Sequence, residues 1–174
     1  NSFVSTVDAI ESLRRTNPEL RANPYYMGSL SYCMNVTWPP FGDIRVRHAM
    51  QMALDLDTIN TLYYKGFARP EPMGSLNPST GGYSIPFAEW PEEVKQYYRY
   101  DPERAEKLLD EAGYPRGADG IRFKMAINFL RPSELGYHEI VQGYLAEIGV
   151  DAEIIHLDWP AFYAQYGGKM EGMG

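Results

Sequence analysis

The chain has 174 residues, a formal net charge of −7, 44% hydrophobic residues and 22% charged residues. Its size suits one domain or one lobe of a larger protein, and its composition argues against wholesale disorder and against a coiled coil. The acidic balance argues against a nucleic-acid partner, because phosphate binding needs a basic face. No apolar run reaches the ~20 residues of a membrane span, and no signal peptide is recognisable, so an export signal would lie outside this sequence.

The first predicted elements are a short helix and a strand. Apolar residues recur near helical spacing over residues 6–15. Residues 25–36 mix apolar, small and aromatic side chains without a helix cap, which predicts a buried strand. Within it, Cys33 is expected to be a small buried hydrophobic residue, and a single cysteine excludes an internal disulfide.

Two helices and a long loop are predicted next. Residues 44–54 carry an apolar stripe of helical period, and Asp43 is placed to cap the first turn. A second helix is predicted at 58–66, with Asp57 as its cap. Residues 69–90 are rich in Pro and Gly and lack periodicity, and loops of this length in compact domains tend to be functional.

The remaining sequence predicts alternating helices and strands. Asp101 caps a helix that has Pro102 in its first position and ends at Gly113. After it come a strand at 121–130, a helix at 134–148, a strand at 150–158 and a helix that starts at Pro160. This order predicts an α/β layer whose strands are at least partly parallel.

Motifs for catalysis and metal binding are weak. His48, His138 and His156 lie on separate predicted elements and form no ligand pair, so no metal site is predicted. The sequence has no GxSxG motif and no phosphate loop, so no catalytic residue and no cofactor are predicted. A sugar-hydrolysing domain stays open as an alternative, since the loops carry the carboxylates Glu71, Glu89, Glu134 and Asp158.

Three segments together resemble one protein family. "PPFGDIRVRHAMQMALDLDTI" resembles the "PFxDxRVRxAxxxAxDRxxI" segment of the family 5 solute-binding proteins, the extracytoplasmic receptors of ABC importers for peptides, nickel and other solutes. "YDPERAEKLLDEAGYP" resembles that family's "YDPEKAKxLLAEAGYP", and "YLAEIGVDAEIIHLDWPAF" is similar to its "LxxxGVxVxxxxxxWxxF". The resemblance covers residues 25–166, and Leu56 stands where the family usually has Arg.

The resemblance implies a fold and an extent. The expected fold is one lobe of the periplasmic-binding-protein-like type II, cluster C class, with a mixed or partly parallel sheet flanked by helices. Residues 1–174 would form a single α/β lobe, most of the second, C-terminal lobe of a two-lobed receptor, with the loop 69–90 inside it. The family's later "GWxxD" segment, whose Asp holds a peptide's amino terminus, is absent from this sequence.

The resemblance also implies a function without catalysis. Such receptors bind a solute between two hinged lobes, and closure produces the form that the permease recognises. Ligand contacts are expected from loops near the strand ends, at Met73, Asn77, Arg131, Glu134, Tyr137 and Tyr166. Structural roles are expected for Asp43, Arg45, Arg47, Asp55, Asp57, Asp101 and Trp159.

The arginine pair of the first segment is expected to be structural. Arg45 and Arg47 lie on opposite flanks of a buried helical stripe, so together they form no single anion clamp. Each is expected to pair with a nearby carboxylate, of which Asp43 and Asp55 are the sequence-close choices.

The expected partners are a peptide or another small solute and the ABC permease subunits. The expected location is periplasmic or extracytoplasmic, with membrane contact only through the permease or a lipid anchor outside this sequence. A peptide, a nickel chelate, an oligosaccharide and an opine all remain open as ligands. A ligand-sensing or interaction module is the other alternative function.

Overall fold

The computed structural model describes residues 7–21, 31–72 and 85–166. The helices are α1 (Val7–Thr16), α2 (Pro39–Gly42), α3 (Ile44–Met52), α4 (Leu56–Leu62), α5 (Glu92–Lys95), α6 (Pro102–Glu111), α7 (Leu135–Glu147) and α8 (Trp159–Tyr166). The strands are β1 (Phe123–Phe129) and β2 (Val150–His156), and short 3-10 turns occupy Phe87–Glu89, Gln96–Tyr98 and Pro132–Glu134. None of the helices in these three ranges is long and apolar enough to cross a membrane.

The two strands are parallel, as the sequence predicts. They pair in register from Phe123 opposite Val150 to Phe129 opposite His156, and α7 connects them along the chain. Alternation along the strands separates two faces of the sheet. One face is buried against the helices through Ile127, Phe129, Val150 and Ala152, and the other exposes Lys124, Ala126, Asp151 and Glu153.

A single core joins the helices to this sheet. Val46 of α3 and Leu109 of α6 are fully buried, and they belong to the same cluster as Val141 of α7 and Val150 of β2. The apolar stripes of α3 and α6 therefore pack on one side of the core while α7 covers the strands.

Helix starts follow from capping carboxylates. Asp101 accepts a hydrogen bond from the Arg104 backbone N–H at 2.9 Å and starts α6, as predicted. For α4 the prediction of Asp57 as cap was wrong, because Asp55 is the capping residue. The Asp55 carboxylate accepts from the Thr58 N–H at 2.9 Å and from the Thr58 hydroxyl at 2.7 Å, so the helix begins two residues earlier.

The two arginines of the family-like segment have different partners. Arg45 forks onto the Asp43 carboxylate, with 2.6 Å between Nη2 and Oδ2, and holds the pKa of Asp43 down at about 2. Its Nη1 also donates to the Glu111 carbonyl at 2.7 Å, which joins α3 to the end of α6. Arg47 pairs with no carboxylate among the described contacts, contrary to expectation. It donates to the Phe41 carbonyl oxygen at 2.6 Å.

The strand predicted at 25–36 does not form in the described part of that segment. Residues 25–30 lie outside the described residues, and residues 31–36 contain no strand. Tyr32 and Met34 pack against the core, whereas the alternate residue Cys33 points outward and is exposed. The expectation of a buried Cys33 was therefore wrong, because this segment has only one covered side.

One buried arginine was missed in the sequence. The Arg122 side chain is only 2% exposed, yet it donates to the Tyr114 carbonyl at 2.7 Å and the Ile148 carbonyl at 2.9 Å. It also pairs with Glu106 at 2.9 Å and with Asp110. This arginine ties α6 and the end of α7 to the start of β1.

Candidate ligand-binding site

The carboxyl edge of the sheet is the natural place to look for a site. In open α/β sheets, ligands bind in the crevice beyond the carboxyl ends of parallel strands. Here β1 and β2 end at Phe129 and His156, and the chain continues into residues 130–134 and 157–158. The "carboxyl edge" below means residues 128–134 and 155–158.

Arg131 and Glu134 form a weak charged pair at this edge. The Arg131 side chain is 78% exposed, and its Nη1 lies 3.5 Å from Oε1 of Glu134, whose side chain is 23% exposed. A long, exposed pair of this kind contributes little to stability. Most of the guanidinium donors face solvent, so a ligand carboxylate can meet Arg131 through a forked contact.

A cluster of tyrosines lies beside this charged pair. We call Tyr32, Tyr63, Tyr64 and Tyr137 the tyrosine cluster, since each ring stands 4.9 to 6.2 Å, between centroids, from at least one other. The Tyr63 hydroxyl also donates to the Ser133 carbonyl at 3.3 Å. The cluster thus brings residues 31–36 and the end of α4 onto the start of α7.

A glycine permits this close approach. A Cβ at position 136 would lie 3.2 Å from Cε2 of Tyr63, which is tighter than ordinary van der Waals contact. Gly136, in the first turn of α7, therefore lets the Tyr63 ring pack directly on the helix backbone.

Burial and the charge of Glu134 affect the pKa values of the clustered tyrosines. Burial raises the pKa of Tyr32, Tyr64 and Tyr137, and the negative charge of Glu134 adds to this rise for Tyr32 and Tyr64. The phenols therefore stay protonated at neutral pH and present hydroxyl donors. The combination of a carboxylate, an arginine and aromatic faces is suited to a small polar solute.

The predicted ligand residues fall in three places. Arg131, Glu134 and Tyr137 lie close together, although Tyr137 is only 6% exposed and packs within the tyrosine cluster. Tyr166 contacts the carboxyl edge at a different point, where its hydroxyl accepts a hydrogen bond from Asn128 Nδ2 at 2.7 Å. Met73 and Asn77 lie outside the described residues.

Sequence reasoning missed Asn128, Tyr32 and Tyr64. The signal for Asn128 was a polar residue on the outer face of a strand, two positions before the strand leaves the sheet. Tyr32 and Tyr64 had no signal of their own, because their proximity to Glu134 depends on contacts between distant segments.

A separate cleft lies at the other end of α4. It has a volume of about 620 Å³. Its walls include Asp55, Asp57 and residues 68–72. Because the tyrosine cluster follows the last turn of α4 and this cleft lies at its first turn, the two are distinct sites.

Two further expectations concern a structural tryptophan and metal binding. Trp159 is 62% exposed, and its ring contacts only neighbouring aromatic residues of α8 among the described contacts, so its structural role stays a prediction. In residues 7–21, 31–72 and 85–166, no group of three or more His, Cys, Asp or Glu side chains is arranged to hold a metal ion.

The fold defines a class, the type II periplasmic binding proteins. The structure is similar to DppA from Helicobacter pylori in complex with the peptide STSA, with a TM-score of 0.62 and 28% identity over 77% of this chain and 23% of that chain. It is also similar to an oligopeptide-binding protein OppA, with a TM-score of 0.55 and 31% identity over 74% of this chain and 20% of that one.

Within that class, the chain belongs to the bacterial extracellular solute-binding proteins, family 5 Middle, which it matches over residues 3–172. The glutathione-binding protein GsiB of Salmonella typhimurium is 32% identical over 161 residues, covering 92% of this chain and 28% of that protein. GsiB of Pectobacterium atrosepticum is 31% identical over 141 residues, covering 81% and 24%. The chain therefore spans about a quarter of the length of these relatives.

Proposed function

We propose that this chain is part of the solute-binding component of an ABC-type importer. In this proposal it contributes one wall of a site that captures a peptide or a similar small solute between two lobes for delivery to the permease. The family match over residues 3–172 supports the class of protein. The observation that carries the site is the exposed Arg131–Glu134 pair beside the tyrosine cluster.

Each group at the carboxyl edge has a chemical role in this proposal. Arg131 donates a forked pair of hydrogen bonds to the carboxylate of a solute, and Glu134 accepts a hydrogen bond from an ammonium or amide N–H. Tyr64 and Tyr32 supply flat apolar surface with hydroxyl donors. The buried Tyr137 ring packs against both of these rings.

Binding requires no covalent step. A solute that contacts both lobes favours the closed form in proportion to its extra contacts there, and the permease recognises that form. The whole protein would act outside the cytoplasm and meet the membrane through the permease or a lipid anchor. Residues 1–174 would belong to its second lobe, with Met73, Asn77 and Tyr166 as further ligand contacts and loop 69–90 inside the lobe.

The test is to identify what the intact protein binds. Mass spectrometry of solute co-purified with the intact protein, followed by calorimetry with a peptide, a nickel chelate and an oligosaccharide, should give a saturable affinity for one of them. The same protein should release no cleavage products from a peptide or sugar panel. Turnover of the bound solute, or the absence of any saturable solute, would contradict the proposal.

A further inference from the structure

His138 is a buried histidine on the inner side of α7. It is 4% exposed and is enclosed by aromatic rings. Centroid distances are 4.6 Å to Phe129, 5.6 Å to Tyr137 and 5.7 Å to Tyr32. These contacts leave little room for water around the imidazole.

The two imidazole nitrogens have unequal surroundings. Nδ1 lies 2.7 Å from the Tyr32 hydroxyl oxygen, across 106 positions of sequence. Nε2 is buried and has no hydrogen-bond partner among the described residues. Burying an N–H without an acceptor is unfavourable, so the favoured neutral form has its proton on Nδ1, which donates to Tyr32, and a bare Nε2.

We propose that the Tyr32–His138 contact is a pH-sensitive connection, which holds residues 31–36 against α7 while His138 is neutral and releases them when His138 is protonated. Protonation places a proton on Nε2, which has no acceptor among the described residues, and a positive charge on a buried ring. When the imidazole leaves its buried position, water can hydrogen-bond to the new N–H and solvate the charge. That movement breaks the bond to Tyr32.

The groups that face His138 do not compensate for its charge. These are Glu134, directly before α7, Tyr137 within α7, and Tyr32 from residues 31–36. Glu134 attracts the proton, but it makes no hydrogen bond to the imidazole and pairs with Arg131 instead. The tyrosines are neutral.

A second histidine contacts the Phe129 ring. His156 of β2 lies 5.2 Å from Phe129, between ring centroids, and is exposed. His156 supplies no negative charge that could compensate a charge on His138. From the end of α4, Tyr64 stands near Glu134 and is neutral, so it adds no counter-charge.

The direction of the pH response follows from burial. Burial lowers the pKa of His138, and Glu134 opposes this only in part. In the released state the imidazole is hydrated and titrates near its ordinary value of about 6.5. Above this pKa, His138 is neutral in both states and the connection has its full strength. As the pH falls below it, towards the lower pKa of the buried form, the equilibrium constant for release rises by up to about tenfold per pH unit.

Release would alter the candidate site. Tyr32 stacks on Tyr137 with 6.2 Å between centroids and an interplanar angle of 14°, so its departure removes one wall of the tyrosine cluster. Weaker solute binding at acid pH follows only if the proposed function is correct. The connection itself does not depend on that function.

Cys33 provides the reporter, since it is exposed and adjacent to Tyr32. A nitroxide on Cys33 of the intact protein, with any other cysteine replaced by serine, should be restricted at pH 7.5 and become mobile towards pH 5. In His138→Gln, which cannot be protonated, the mobility should not change with pH. In Tyr32→Phe it should be high at both pH values, because the hydrogen bond is absent.

His156→Gln serves as the matched control, and its label should respond to pH as in the unaltered protein. A nuclear magnetic resonance titration of His138 in the unlabelled protein provides a second measurement, and its midpoint should coincide with the change in label mobility. A label that is equally restricted at both pH values in the unaltered protein would overturn the proposal. So would a pH response retained in His138→Gln, or a mobility midpoint that follows His156 instead of His138.

Discussion

At the scale of single residues, three arginines show how burial and partners decide a role. Arg122 is almost fully buried and all of its contacts are within the fold. Arg45 is more exposed and forks onto one carboxylate. Arg131 faces solvent with one long contact. The three residues are identical in the sequence and differ only in their surroundings. Of the three, Arg131 is the one with donors available to a solute.

The first prediction concerns Arg131. In the intact protein, Arg131→Ala should weaken binding of a carboxylate-bearing solute by about tenfold or more, because a hydrogen bond to a charged group contributes about 1.5–3 kcal/mol. Calorimetry measures the loss. Lys124→Ala, which removes an exposed cation from β1, the strand that precedes Arg131, is the control and should leave the affinity unchanged. Equal affinity of Arg131→Ala and the unaltered protein would remove Arg131 from the site.

A second prediction separates Arg47 from ligand binding. Arg47→Ala removes donors to the carbonyls of Phe41 and Gly42 and should lower the free energy of unfolding by about 1–2 kcal/mol. Solute affinity should not change. Lys107→Ala, an exposed position on α6, should stay within about 0.5 kcal/mol of the unaltered protein in the same denaturant titration. A large loss of affinity without loss of stability would contradict this assignment.

At the scale of elements, a helix boundary was predicted correctly where its local signal was unambiguous. The start and end of α6 follow from Asp101, Pro102 and Gly113, which all lie within or beside the helix. The start of α4 was misplaced because two aspartates compete, and the choice depends on how Thr58 meets Asp55. A strand over residues 31–36 requires a hydrogen-bonding neighbour, which periodicity does not reveal.

The cap of α6 gives a third prediction. Asp101→Ala should lower the free energy of unfolding by about 1 kcal/mol, because the Arg104 N–H loses its acceptor. Asp101→Asn keeps an oxygen acceptor and should recover most of this loss. Chemical denaturation monitored by circular dichroism measures both. If the two substitutions are equally destabilising, the side-chain cap does not account for the stability of α6.

The buried arginine gives a fourth prediction. Arg122→Ala leaves the Tyr114 and Ile148 carbonyls without a donor and should destabilise the protein by about 3–5 kcal/mol. Arg116→Ala, whose side chain is partly exposed, should cost much less. The comparison is made by urea unfolding. Similar losses in both variants would show that burial does not set the contribution of Arg122.

At the scale of the whole molecule, the sequence predicted the parallel strands, the connecting helix and the family. Three motifs in the right order were enough to predict the family, because each motif is a continuous segment of sequence. The tyrosine cluster was not predictable in the same way. Tyr32 and His138 are 106 positions apart, and only the packing of residues 31–36 on α7 brings them together.

The proposed function requires a second binding surface outside this chain. Arg131 faces solvent at the carboxyl edge, and the chain spans about a quarter of the length of its relatives. In a two-lobed receptor, the second wall of the site and the energy of closure come from the remaining part of the protein. The core through α3, α6, α7 and the sheet is continuous, so we expect this chain to fold alone.

The central claim is therefore tested most directly by comparing solute affinity in two proteins. Calorimetry with the solute identified for the intact protein should be carried out on that protein and on the isolated 174-residue chain. Cooperative thermal unfolding would first establish that the isolated chain is folded. We predict that it then binds the solute far more weakly than the intact protein does. Equal affinity in the two proteins would contradict a site shared between two lobes.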